Sequence, residues 1–382
     1  MTADPAKTGS TAMSGDSEAM SIEAAAIVLA DGTVFEGEAF GAAAEGGVTT
    51  GEFVFNTVLS GYHEVISDLS YAGQIITFTA PHIGNYGVNP TDDESAAPAC
   101  AGVVIRELAR RHSNWRADGG LDEYLRRHGI AAIAGVDTRR LTRHLRDHGA
   151  LPGAFGTADE ATLREAARSA KGTDGRDLVG GVTTGQRYSV PGNSGTSRRI
   201  VAIDLGIKTT ILRNLALIGD IEVVPAATTA EEILALEPDG VFISNGPGDP
   251  AAVESVPATL RSLLGEVPIF GICMGNQMLA TAVGGTTYKL PFGHHGGNHP
   301  VRDLTTGKIE ITSQNHNYCI DLDGVSNVEV THRNLNDGTV EGFRCTDVPA
   351  FSVQHHPEAG PGPHDSHYLF LRFADLMDSH AS

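Results

Sequence analysis

The segment VPIFGICMGNQMLA, Val267 to Ala280, constrains this chain more than any other. Val267, Ile269, Phe270 and Ile272 read as a buried strand, and Met274 to Val283 has helix-compatible composition. Between them, Gly271 and Gly275 flank Cys273. A Gly-x-Cys-x-Gly junction is the thiol version of a nucleophile elbow, a tight strand-to-helix turn that pushes the nucleophile out of a sheet. Glycine is needed there because side chains would collide in so sharp a turn. The turn also sets the sulfur at a helix N-terminus, where the dipole favours negative charge. A free thiol with a pKa near 8.5 is only about 3% ionised at pH 7, so a nucleophilic cysteine needs such a setting. The same pattern also fits a buried structural cysteine at a strand end.

The 382 residues predict two or three domains with ample length for a core. Hydrophobic residues make up 41% and glycines number 46, which suits a loop-rich α/β protein. The formal net charge of −20 disfavours nucleic acid and anionic membrane as partners, because phosphate binding is dominated by Lys and Arg. Cys100, Cys273, Cys319 and Cys345 form no C-x-x-C pair, which points to a reducing, cytoplasmic setting. No apolar run approaches the ~20 residues of a membrane span. Residues 1–23 lack a signal-peptide core and read as a disordered tail.

Residues 24–150 form the first expected domain, mixed and mainly β early on, with strands at Ala26 to Ala30, Val34 to Glu36, Phe53 to Phe55, Ile75 to Thr79 and Val103 to Ile105. Helices are expected at Asp122 to His128 and at Thr138 to His148, the second capped by Asp137. Residues 151–198 are poor in large apolar groups and read as a connecting segment, with one helix near Glu160 to Lys171 and a linker at Pro191 to Ser197. Residues 199–382 alternate short apolar strands (Ile200 to Ile203, Ile221 to Val224, Val241 to Ser244) with helices, the pattern of a parallel sheet. Such sheets bind ligands at the carboxyl ends of their strands, which is where Cys273 falls. After Thr286 short strands follow, and a helix, His367 to Met377, closes the chain.

A cysteine nucleophile needs a base and an oxyanion site. His356, with Glu358 two residues on, can form a Cys-His-Glu relay in which imidazole takes the thiol proton and carboxylate fixes its tautomer. A solvated turn explains His-Pro-Glu equally well. The loop Ser244 to Pro250, SNGPGDP, can offer backbone N–H groups through Gly246 and Gly248 and, with the N–H of Met274, make an oxyanion hole. An ordinary Gly/Pro turn is the alternative. His294, His295 and His299 in FGHHGGNHP invite a metal reading, but they sit in a Gly-rich stretch with no acidic or Cys ligand at a familiar spacing, so no metal is expected. No P-loop and no G-x-G-x-x-G follow an expected strand, so no nucleotide site is expected in this chain.

Taken in order, strand-SNGPGDP, GIC-x-G-x-Q and HPE resemble a class I (triad) glutamine amidotransferase domain. The segments FNTVLSGYHEVISDLSYAGQIITFTAPHIGNYGVN, IAGVDTRRLTRHLR, DLGIKTTILRNL, FGHHGGNHPV, ITSQNHNYCID and VQHHPEAGPGPHDS are similar to the small subunit of carbamoyl phosphate synthetase. The resemblance covers about Ala26 to Leu376. It implies an α/β class I amidotransferase domain with a mainly parallel central sheet, preceded by a mixed, β-rich small-subunit domain. It implies that Cys273 attacks the glutamine side-chain amide, that His356 and Glu358 complete the triad, and that a glutamyl thioester is hydrolysed. Ser70, Gly246, Gly248, Met274, Gln277, Asn315, Asn317 and Tyr318 would line the glutamine pocket. Ammonia would pass by a tunnel to a large synthetase subunit, which binds ATP with magnesium ions and makes carbamoyl phosphate from bicarbonate.

The chain departs from the family at Asn276 (usually His), Met274 (Leu), Asn317 and Tyr318 (Gly-Phe) and His355 (Gly). These changes cluster around the implied pocket and bear on glutamine affinity. A degenerate domain acting as a binding or regulatory subunit, and a stand-alone thiol hydrolase of γ-glutamyl compounds, are the alternatives. The intact triad argues against the first and the large N-terminal domain against the second.

Overall fold

The computed structural model describes residues 23–193, 195 and 198–380. The expected N-terminal tail up to residue 22 lies outside these residues, as do Ser194, Thr196 and Ser197 of the expected linker. The first unit is a closed barrel of seven strands: β1 (Glu23–Leu29), β2 (Val34–Gly41), β3 (Thr49–Asn56), β4 (Gln74–Phe78), β6 (Gly102–Val104), β8 (Ala131–Ala134) and β9 (Leu151–Gly156). They close in the order β1-β2-β8-β6-β4-β3-β9. A two-stranded pair outside it joins β5 (His82–Ile83) to β7 (Glu107–Leu108). Helices α1 (Tyr62–Ser67), α2 (Leu121–Arg127), α3 (Thr138–His148) and α4 (Glu160–Ser169) pack around these strands.

Alternation builds this barrel, because successive strand residues point to opposite faces. Ile27 and Leu29, Phe53 and Phe55, Ile75 and Val104 share one apolar cluster. Their neighbours Val54, Ile76 and Val103 join the cluster on the other face with Tyr62 of α1 and Leu121 of α2. β9 corrects the expectation that residues 151–198 only connect. Pro152, Gly153 and Gly156 mask its alternation in the sequence, yet it pairs with both β1 and β3, and its Phe155 is buried among the first cluster.

The second unit is a ten-stranded sheet. Its strands are β10 (Tyr188–Val190), β11 (Arg199–Asp204), β12 (Asp220–Pro225), β13 (Gly240–Ile243), β14 (Ile269–Ile272), β15 (Thr286–Asp303), β16 (Ile309–Asp321), β17 (Val328–Asn334), β18 (Val340–Cys345) and β19 (Ala350–Val353). The spatial order is β10-β12-β11-β13-β14-β19-β18-β16-β15-β17. From β12 to β19 all pairings are parallel; beyond them they are antiparallel.

Helices cover both faces of the parallel region. Val201, Ile203, Val241 and Ile269 pack with Ile233 of α6 (Ala230–Leu234), Leu260 of α7 (Ser255–Leu263) and Met278 of α8 (Met274–Ala282). Ile200, Ala202, Phe242 and Phe270 pack with Ile211 of α5 (Thr209–Leu215) and Phe373 of α9 (Tyr368–His380). The mainly parallel sheet is therefore the one the alternation predicts, with antiparallel strands appended. FGHHGGNHP, read as a Gly-rich stretch without regular structure, instead lies in β15, with pairing irregularities between Lys289 and His294 and between Gly296 and His299. α7 has no counterpart in the sequence reading; its Pro257 falls in the first turn, where a missing N–H costs little.

Phe270 is the centre of the second face. It is fully buried, stacks on Phe351 at 4.5 Å and meets Phe242 edge-on at 5.5 Å. Phe270→Ala is expected to lower unfolding free energy by about 3–5 kcal/mol, read from urea denaturation. A loss under about 1 kcal/mol would show that this layer repacks freely.

Candidate active site

The parallel strands end on one edge, and the chemistry gathers there. β14 runs into Cys273, and α8 starts at Met274. Cys273 has φ 56° and ψ −104°, a conformation rare for a residue with a side chain, as a nucleophile elbow demands. A β-carbon on Gly275 would strike the Ile243 carbonyl, so α8 can approach β13 only with glycine there. The Cys273 N–H donates to Val353 O at 2.9 Å, which ties the elbow to the end of β19, three residues before His356.

His356 and Glu358 are buried, with His356 Nδ1 and Glu358 Oε1 2.6 Å apart. His356 Nε2 is buried and makes no hydrogen bond of good geometry, leaving it free for a reacting proton. Burial works against a charged imidazole, but the Glu358 carboxylate and then Cys273 outweigh it and hold the ring up at about 10. Burial likewise opposes the Glu358 charge, yet Lys208 and His356 hold that carboxyl down at about 2. Lys208 lies between β11 and α5, where it donates to Glu358 Oε1 at 3.0 Å and Ala359 O at 2.7 Å. Glu358, Glu94 and Asp68 together overcome its desolvation and keep its pKa above the ordinary lysine range.

A pocket opens on the other side of the sulfur. Ser70, Gly246, Gly248, Met274, Gln277, Asn315, Asn317 and Tyr318, all expected from the sequence, line it with Cys273. Ser70 comes from the barrel unit; its Oγ accepts from Asn245 Nδ2 at 2.9 Å. Gln277 donates to Tyr318 O at 2.8 Å. Asn315 donates to Asp68 Oδ2 at 2.8 Å and Asn317 to Glu52 Oε2 at 3.1 Å, so two barrel carboxylates fix two wall residues.

Gln74, Thr173, His295 and His316 also line the pocket and were not named from the sequence. Lys208 was missed as well, though a lysine closing the DLGIK turn after an apolar strand was a usable signal. The departures sort by position. Asn276 lies fully buried away from the pocket lining, accepting from Ser352 Oγ and donating to Gln354 Oε1. His355 is not among the pocket-lining residues and packs against His332, with ring centroids 5.4 Å apart. Asn317 and Tyr318 do face the pocket.

His294, His316 and Glu341 each bring one potential ligand atom within 4.8 Å of the others. The sequence reading found no acid near these histidines; the fold supplies Glu341 from β18. Both His316 nitrogens already face partners, Tyr318 O and Gln314 Oε1, each at 2.9 Å, so ligating an ion would cost one of those bonds.

Two family models match. Residues 27–155 fit the carbamoyl-phosphate synthase small chain, CPSase domain, and residues 201–376 fit glutamine amidotransferase class-I. The chain belongs to the carbamoyl-phosphate synthase small-chain family. It is 50% identical over 370 residues to the carbamoyl phosphate synthase small chain of Syntrophotalea carbinolica, covering 93% of this chain and 98% of that one. It is 51% identical over 371 residues to the Synechococcus small chain, covering 93% and 94%. The Chlorobaculum tepidum small chain is 48% identical over 361 residues, covering 93% and 98%. Membership covers both units, so the barrel is as much part of the family as the amidotransferase unit. No helix among the described residues is long and apolar enough to cross a membrane.

The His356 proton depends on Glu358. In Glu358→Gln the larger favourable charge is gone while burial and Cys273 remain, so the ring pKa is expected to fall well below about 10. NMR titration of the His356 ring checks this; a ring still protonated at pH 8 would show that another group holds the proton.

Proposed function

We propose that this chain is the glutamine-hydrolysing subunit of a carbamoyl-phosphate synthase. The observation that carries the reading is Cys273 on a strained elbow, between a His356–Glu358 pair and a closed polar pocket, in a chain of this family. In this reading His356 Nε2 takes the thiol proton and the sulfur attacks the glutamine side-chain carbonyl carbon. The oxygen of that carbonyl gains negative charge beside the N–H of Met274 and the Gly246–Gly248 loop. Each such donor is typically worth ~2.7–4 kcal/mol in the transition state.

Collapse of the tetrahedral species breaks the C–N bond. His356 returns the proton to the leaving nitrogen, which departs as ammonia and leaves a glutamyl thioester. Water then attacks the thioester, His356 takes one of its protons, and glutamate leaves as the thiol is restored. The net change is glutamine plus water to glutamate plus ammonia. Glu358 keeps the imidazole oriented and stabilises its charged form, and Lys208 keeps Glu358 ionised.

The partner in this reading is a large synthetase subunit that binds ATP with magnesium ions and consumes the ammonia with bicarbonate. A second small cavity, lined by Val58, Val65, Tyr71, Lys208, His356 and Pro361 among others, adjoins the imidazole; in this reading ammonia leaves on that side. No role for nucleic acid or membrane enters.

Release of glutamate and ammonia from glutamine, measured with the large subunit and ATP, tests the proposal. Cys273→Ala is expected to abolish glutamine-dependent carbamoyl phosphate synthesis and to leave synthesis from free ammonia intact. Loss of both would make Cys273 a structural residue. Asn276→His, which restores the usual family residue away from the pocket lining, should change the glutaminase rate by less than tenfold, about 1.4 kcal/mol.

A further inference from the structure

The pocket's outer wall is held by charges that touch no reacting atom. Residues 172–177 follow α4 and run as a strap across the Gly246–Asp249 loop. Gly175 N donates to Asp249 Oδ2 at 2.9 Å, Asp249 N donates to Arg176 O at 3.2 Å, and Asp177 bridges Gly248. Gly248 has φ +93°, and a β-carbon there would press on the Arg176 carbonyl, so the strap lies flush against the loop. Thr173 of the strap lines the pocket.

Three charged side chains close this strap onto β15 and β16. Glu52, from barrel strand β3, accepts from Thr173 N at 3.3 Å, Thr173 Oγ1 at 3.0 Å, Asn317 Nδ2 at 3.1 Å and Lys289 Nζ at 2.5 Å. Lys289 reaches Asp174 Oδ2 at 2.8 Å, and Tyr318 Oη donates to Asp174 Oδ1 at 3.3 Å. Asn317 and Tyr318 are, with Met274, the departures from the family pattern that line the pocket, and each of these two gives a side-chain donor to this clasp.

Exposure grades along it. The side chain of Glu52 is 1% exposed, that of Lys289 21% and that of Asp174 68%. The inner end is therefore a buried anchor. The outer end is a partly solvated pair of the kind worth about 0–1 kcal/mol and weakened by salt. Cys273, in the pocket that Thr173 of the strap helps to line, is 2% exposed.

We infer that Glu52, Lys289 and Asp174 are positioning residues that hold Thr173, Asn317 and Tyr318 as the outer wall of the pocket, and that the Lys289–Asp174–Tyr318 end opens to admit substrate. The inference rests on the glutaminase reading only for the identity of that substrate.

Alkylation of Cys273 by iodoacetamide in the full chain, followed by peptide mass mapping, measures opening without using glutamine. Asp174→Ala should raise the alkylation rate about threefold to fivefold, the weight of one partly exposed ion pair. Added salt at about 0.5 M should raise the wild-type rate toward that of the variant and leave the variant unchanged. Lys289→Met should also accelerate alkylation, and glutaminase assays of Asp174→Ala with the large subunit should show a higher KM for glutamine. An Asp174→Ala alkylation rate equal to wild type at both salt levels would overturn the inference. So would a variant that lost kcat with KM unmoved, the signature of general structural damage. Absence of any glutamine hydrolysis would sink the glutaminase reading, while the alkylation result would still decide the clasp.

Discussion

Everything at this site depends on a carboxylate that water cannot reach. Glu358 is fully buried, and a buried charge costs several kcal/mol unless paired and hydrogen-bonded. Lys208 supplies the pair, and His356 takes the remaining benefit by donating Nδ1–H. The lysine is itself buried, so its own charge must be balanced, and Glu94 and Asp68 of the barrel unit contribute to that balance. The state of the imidazole is thus set by residues up to the far side of the unit boundary. Glu94 shows how tight that coupling is. Its carbonyl accepts from Thr209 N and its carboxylate from Thr210 N and Oγ1, so the barrel caps the very helix that follows Lys208.

Much of this was legible in the sequence, and the parts that were share a cause. Cys273, His356 and Gly246 each follow a strand whose apolar run and terminating turn are local signals, and strands of one parallel sheet bring their ends together by construction. Asp137 as cap of α3 was likewise a local inference: its side chain accepts from Arg140 N. β9 escaped because Pro152 and two glycines interrupt its alternation, and its strand character comes from pairing with β1 and β3. The middle of β16, Ser313 to Asn317, is polar and carries no apolar strand signal. It is a buried strand because its side chains find partners on other elements, such as Asp68 and Glu52. Glu341 near the histidines and Lys208 beneath Glu358 are long-range meetings that no local spacing encodes.

The departures from the family pattern follow the same division. Asn276 stands three residues after the nucleophile in sequence, but α8 turns its side chain toward Ser352 and Gln354, so proximity in the chain misleads. Asn317, two positions from Asn315, and Tyr318, the next residue, both reach the pocket: alternate residues of β16 share a face, and the irregular pairing with β15 between Lys289 and His294 falls opposite this stretch.

The two units divide their polar groups in a way that explains why neither could keep this site alone. The barrel contributes acceptors: the carboxylates of Glu52, Asp68 and Glu94. The sheet unit contributes donors: Lys208, Lys289, Asn245, Asn315 and Asn317. Separated, the barrel would present carboxylates without counter-charges, and the sheet unit would leave Lys208 facing Glu358 without its second acid. Removing one side of a buried charged pair typically costs about 3–5 kcal/mol, far more than the pair itself contributes. A misdocked arrangement that buries one of these charges without its partner meets that penalty, so the pairing specifies one docking geometry. In that geometry Ser70 of the barrel, with Asn315 and Asn317 anchored by barrel acids, completes a pocket whose nucleophile belongs to the sheet unit. A chain with overall charge −20 thereby directs three acids of its barrel unit inward, where each has a named donor, and uses them to hold the pocket in register with the elbow.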